Sequence, residues 1–150
     1  MKTSNRKADQ GGTMNNRFVL AAAAVLMIPT GCASGPALLE KHLVHVSVDG
    51  DDAGAYLVEC SQVGWLWNLD TPEETPGLMA QVRTGDPVVA RSVQINNLGG
   101  FTGSYWDETT GQAEASLIDG KFTITGTAVG FFHDDPGERT TASFEISTDC

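Results

Sequence analysis

Ala115-Ser116-Leu117-Ile118-Asp119-Gly120-Lys121-Phe122-Thr123-Ile124 reads as strand, two-residue turn and strand. Asp-Gly accepts the positive φ angles of a type I′ turn, whose twist suits the two strands it joins. Outward from this hairpin the same grammar repeats. Turn signals stand at Asp49-Gly50, Thr71-Pro72, Thr75-Pro76-Gly77, Gly85-Asp86-Pro87, Gly99-Gly100 and Pro136-Gly137. Between them Val44, Val46 and Val48 alternate with polar residues, as do Tyr56, Val58 and Cys60, and then Trp65, Trp67 and Leu69. This is the period-2 pattern of half-buried strands. Further strands are expected over 78–83, 88–95, 104–107, 112–118, 122–129 and 141–149, about nine in all. No segment sustains a helical period and no internal repeat is visible. The pattern predicts an all-β fold over residues 43–150, a single antiparallel β-sandwich, with a partly closed β-barrel as the alternative.

The N-terminus carries a different signal. Arg17 precedes an apolar run from Phe18 to Ile28, followed by Pro29-Thr30-Gly31-Cys32. The run is about half of the ~20 residues that a helix needs to cross a bilayer, so a cleaved signal peptide over 1–31 is the better reading. Met14 offers a second translation start, from which Met14 to Arg17 form a compact basic n-region. A cysteine directly after two small residues resembles the lipobox of bacterial lipoproteins, although Pro29 stands where that pattern has an aliphatic residue. The resemblance implies that the Cys32 thiol takes a diacylglyceryl group and that the protein is tethered to the outer face of the membrane. Each buried CH₂ contributes roughly 0.8 kcal/mol, so two or three acyl chains hold where one does so marginally. The plainer reading is a secretory signal with Cys32 as a spare thiol. Residues 32–42 then form a lipidated N-terminus and short spacer.

Cleavage before Cys32 leaves 5 basic and 18 acidic side chains, a net charge of -13 against -10 for the whole chain. So acidic a surface repels phosphate, which argues against nucleic acid as a partner. With Cys32 committed to lipid, Cys60 and Cys150 remain as an even pair in an oxidising compartment. Cys150 shares its parity with Phe144 and Ile146, and Cys60 with Val58, so both are expected to face the core and to form a disulfide. Two free buried thiols are the alternative.

Chemistry-bearing motifs are sparse. The histidines are His42, His45 and His133, and there is no Gly-x-Ser-x-Gly elbow, His-Glu-x-x-His, Walker-type loop or Cys-x-x-Cys. Asp49, Asp51 and Asp52 crowd one turn and His133-Asp134-Asp135 another, but their spacing fits no calcium loop. The sequence assigns no catalytic residue, metal or cofactor. Trp65 and Trp67 share one parity with Leu69. They read as core residues, and alternatively as aromatics that face a sugar or lipid ligand.

In the C-terminal half, the runs Ser92-Val-Gln-Ile-Asn-Asn-Leu-Gly-Gly100, Gly111-Gln-Ala-Glu-Ala-Ser116, Asp119-Gly-Lys-Phe-Thr-Ile-Thr-Gly-Thr-Ala-Val-Gly130 and Ser143-Phe-Glu-Ile-Ser-Thr-Asp-Cys150 stand out. Together they resemble the LpqH family of mycobacterial lipoprotein antigens. Val48-Asp-Gly50 and Val58-Glu-Cys60 extend the likeness upstream. The resemblance implies a non-enzymatic, lipid-anchored surface antigen that engages host innate receptors through its acylated N-terminus. It does not extend to a threonine-rich, glycosylated spacer, since the only hydroxyl residue in 33–42 is Ser34. A second reading, an extracytoplasmic domain that carries a lipid or glycolipid as its hydrophobic ligand, competes with it.

Overall fold

The computed structural model describes residues 41–150; the leader, Cys32 and most of the spacer lie outside them. Nine strands follow one another: β1 (Lys41–Val48), β2 (Asp51–Val63), β3 (Leu66–Asp70), β4 (Gly77–Arg83), β5 (Val89–Leu98), β6 (Phe101–Trp106), β7 (Gln112–Ile118), β8 (Lys121–Phe132) and β9 (Asp135–Asp149). All pair antiparallel in one sheet of order β6-β5-β4-β3-β2-β1-β9-β8-β7. The antiparallel β-domain is as expected, with both of its layers drawn from one hydrogen-bonded sheet.

Short turns drive that topology. Asp49-Gly50 and Asp119-Gly120 both take positive φ, at 51° and 82° and at 51° and 79°, as two-residue hairpins of this kind require. The sheet then folds face to face. Trp67 of β3 packs on Phe122 of β8, strands that are not neighbours, with ring centroids 5.4 Å apart. Val44, Val58, Leu69, Ile95, Phe101, Phe122 and Ile146 are fully buried between the layers. Burying each such side chain contributes roughly 1.5–3 kcal/mol, which makes this interior the main support of the fold.

The folded sheet also meets itself. Phe101 to Ser104 of β6 pair with Val129 to Phe132 of β8, on the edge of β8 whose other half is taken by β7. Gly103 lies opposite Gly130 at this seam. A Cβ at Gly130 would overlap the Thr102 carbonyl oxygen and come within 2.5 Å of the Gly103 Cα. Glycine is needed there for close backbone approach, without any demand for positive φ. Gly126, at the start of the same Gly126-Thr-Ala-Val-Gly130 run, faces the Gln112 carbonyl and Ala113 in the same way.

Two expectations need correction. Trp65 is not inward: β3 begins at Leu66, and Trp65 occupies the Gly64-Trp65 turn with 72% of its surface exposed. A glycine at φ 61° turns the chain one residue before strand parity begins, so the alternation with Trp67 is broken. Pro136-Gly137 is not the last hairpin turn, which falls at His133-Asp134. Instead residues 136–139 bulge out of β9 opposite Phe131, between the pairs Phe132 with Asp135 and Gly130 with Thr140. Proline has no N–H for the ladder, and a bulge is where a sheet tolerates it.

Candidate functional site

The cysteines come together. Cys60 and Cys150 are joined by a disulfide, with Cα atoms 6.0 Å apart and 90 residues apart in sequence. Cys60 follows Val58 on the inner face of β2, and Cys150 follows Thr148 at the end of β9. Since β1 lies between these strands in the sheet, the bridge spans β1 near its beginning. Both sulfurs belong to residues packed against the hydrophobic core.

The two tryptophans do not form a pair. Trp67 belongs to the core through Phe122, whereas Trp65 stands out at the hairpin tip, held there by hydrogen bonds from Thr84 N and Oγ1 to its carbonyl oxygen. His45 is exposed and points away from the core between buried Val44 and Val46; His42 is half-buried and shares the inward parity of Val44. The acidic turns serve the backbone. Asp49 Oδ1 accepts hydrogen bonds from Ser143 N at 2.7 Å and Ser143 Oγ at 3.1 Å, and Asp52 Oδ1 accepts from Gly54 N. Among the described residues no group of three or more His, Cys, Asp or Glu gathers at metal-binding distance.

Two charged clusters escape a sequence reading. Asp70, the last residue of β3, lies directly opposite Glu59 of β2. Burial, and then the Glu59 charge, raise its carboxyl above the usual range, and its Oδ1 is buried without a hydrogen-bond partner. Farther round the sheet, the Tyr105 hydroxyl donates to Ala90 O at 3.1 Å and to Asp107 Oδ1 at 3.4 Å, and Asp107 is paired with Arg91. Burial, with the Asp107 charge and hydrogen bond behind it, pushes the Tyr105 hydroxyl up, against the opposing effect of Arg91. Both are cross-strand arrangements, visible only once register is known.

Surface depressions are open and mixed in character. One of about 380 Å³ lies where the β3–β4 loop flanks β2, lined by Tyr56, Leu57, Thr71 and Pro72 among others. A wider one of about 690 Å³ runs over the outer face of β1, β9, β8 and β7. There His45, Ser147, Thr123 and Ser116 form one cross-strand row. No convergent set of polar groups in an apolar pocket marks either as a small-molecule site.

Residues 39–150 match the family described as Mycobacterium 19 kDa lipoprotein antigen. A protein of Mycobacterium avium subsp. hominissuis named "Putative lipoprotein" is 38% identical over 140 residues, covering 91% of this chain and 97% of its own. LppE of Mycobacterium tuberculosis is 27% identical, over 91% of this chain and 100% of its own. Lipoprotein LpqH of Mycobacterium tuberculosis is 31% identical over 122 residues, covering 80% and 72% respectively.

Proposed function

Because the chain belongs to the mycobacterial 19 kDa lipoprotein antigen family, we propose that it is a lipid-anchored, non-enzymatic surface antigen whose acyl chains sit on Cys32. Membership of a lipoprotein family supports a membrane-associated place in the cell envelope, and Cys32 directly after Thr30-Gly31 is the observation that carries the anchor. The reading puts the leader at 1–31, the lipidated N-terminus and spacer at 32–42, and the β-domain at the extracytoplasmic face. Host innate receptors then engage the acylated N-terminus. An acyl chain in an apolar channel gains roughly 25 cal/mol per Å² of apolar surface before ordering costs are subtracted, which an acidic β-surface has no means to match.

The competing lipid-carrier reading needs room between the layers, where Phe101, Phe122, Leu98 and Ile95 are fully buried. The test of the anchor is the mass of the native N-terminal peptide together with detergent phase partition. Cys32→Ala is expected to abolish acylation and to leave the product in the aqueous phase or unprocessed. Entry of that variant into the detergent phase after leader removal refutes the assignment. Receptor engagement is tested by comparing acylated protein, a lipopeptide beginning Cys32-Ala-Ser-Gly, and refolded domain lacking Cys32 on cells bearing lipopeptide receptors. Equal potency of the unacylated domain, after endotoxin removal, refutes it.

A further inference from the structure

The two ends of the domain differ in how much apolar surface they expose. At one, the β1–β2 turn, the β5–β6 turn and the β8–β9 turn gather: Gly99 lies against Val48 and Ala53, which flank the β1–β2 turn, and His133 N donates to Gly100 O. That end carries Asp49, Asp51, Asp52, Asp134 and Asp135, all exposed. The opposite end holds the start of β1 and the β2–β3 and β7–β8 hairpin tips. There lie the most exposed large apolar side chains of the described residues: Val63 at 74%, Trp65 at 72% and Ile118 at 67%.

Chain length ties this second end to the anchor. Cys32 precedes Lys41, the first residue of β1, by nine residues. At no more than ~3.3–3.6 Å per residue, Lys41 cannot stand farther than about 30 Å from the lipidated cysteine. Glu59 of β2 is opposite Lys41, and β2 runs on to Val63, so at ~3.3 Å per residue the hairpin tip projects about 13 Å past the start of β1.

We propose that the Val63-Gly64-Trp65 tip is a lipid-facing foot, which rests in the interfacial layer of the membrane that holds the acyl chains of Cys32. The inference rests on the anchor proposed above. Tryptophan favours that layer because its ring is apolar and its indole N–H can meet the headgroups. Arg83, opposite Leu66 at the same tip, is exposed and in no ion pair among the described residues, which leaves its guanidinium for lipid phosphate. The five aspartates of the other end then point away from the phosphate surface that would repel them, and Asp119 of the β7–β8 tip and Asp86 of the β4–β5 loop are exposed acidic groups on the membrane side. One protein foot adds a second contact to the covalent anchor and fixes which end of the domain faces outward.

The test uses the acylated protein on vesicles of phosphatidylglycerol and phosphatidylcholine brominated on its acyl chains. Bromines quench indoles that enter the bilayer. Tryptophan emission is expected to be quenched and blue-shifted in the natural protein and in Trp106→Phe, and to lose most of that response in Trp65→Phe. Unchanged β-type circular dichroism and an intact Cys60–Cys150 bridge establish that the variants are folded. Vesicle binding without Trp65-dependent quenching overturns the foot and leaves the anchor standing. Failure to bind vesicles at all overturns the anchor and the foot with it. A blue shift of Trp65 that grows with protein concentration in the absence of lipid assigns the tip to a second copy of the chain, and also overturns the proposal.

Discussion

Replacing Cys60 and Cys150 by serine isolates what the one covalent cross-link of the described domain contributes. The bridge closes a loop of 90 residues. In the chain-entropy description, a loop of that size removes about 15 cal/mol/K from the denatured ensemble, a ceiling of about 4.6 kcal/mol at 25 °C; measured values typically reach ~2–4 kcal/mol. For a domain of this size ~1 kcal/mol moves the melting temperature by about 4 °C, so the double variant is expected to melt roughly 8–16 °C lower. Its folded state should survive at low temperature, because β1 remains hydrogen-bonded to β2 along its whole length and to β9 from Val44 to Val48. The assay is a thermal melt by far-ultraviolet circular dichroism, paired with urea unfolding, on protein whose Cys32 is replaced. The urea slope should rise in the variant, since a chain without the cross-link exposes more surface when it unfolds. Two free thiols in the non-reduced, unfolded parent refute the bridge. An unchanged melting temperature and slope refute the entropic account of it.

The seam and the half-buried carboxylate of Asp70 make separate predictions. Gly130→Ala places a methyl group against Thr102 O and Gly103 Cα, and is expected to destabilise the domain by ~1–3 kcal/mol through forced backbone displacement, read by urea titration. A change within error shows that the β6–β8 pairing tolerates a side chain there. Asp70 has a folded-state pKa raised above its ordinary value near 3.8, so the fold binds its proton more tightly than the unfolded chain does. Its relative contribution is fully present below pH 3.8 and is lost as pH rises through the raised value. Asp70→Asn is therefore expected to be more stable than the parent at pH 7, with the difference shrinking as the pH falls toward 3.8. A pH-independent difference in chemical denaturation between the two proteins contradicts that sign.

Much of the fold was legible because its strands are half-buried and its hairpins short. Gln112 to Ile118 is a strand over the expected range, and Asp119-Gly120 and Asp49-Gly50 turn where their φ angles demand. Cys60 and Cys150 could be paired because, with Cys32 set aside, they are the even pair that remains, and counting in twos puts both on inward strand faces. What failed did so where counting breaks. Gly64 ends one strand's parity before Trp65, and the bulge over residues 136–139 lets β9 start earlier than Pro136-Gly137 suggests. A partly closed barrel was the alternative reading, but the place of the seam was invisible: Gly103 and Gly130 are 27 positions apart and neither carries a side chain to announce a partner. The facing carboxylates Glu59 and Asp70 required the β2–β3 register in the same way. Cys32 was expected from a local motif and lies outside the described residues.

Pairing β6 with β8 has a consequence for how crowded copies of this domain behave. Among the described strands β7 alone has a neighbour on one side only, while β2 before Glu59 and β9 before Ser143 run past the ends of one of their two partners. The outer side of β7 is one margin where unpaired amide and carbonyl groups remain available for cross-β association between molecules. That strand is short, and Glu114 projects from it into solvent. A negative charge repeated on each incoming copy makes stacking of identical strands unfavourable. Where copies crowd together, this charge disfavours edge-to-edge pairing of identical strands through β7.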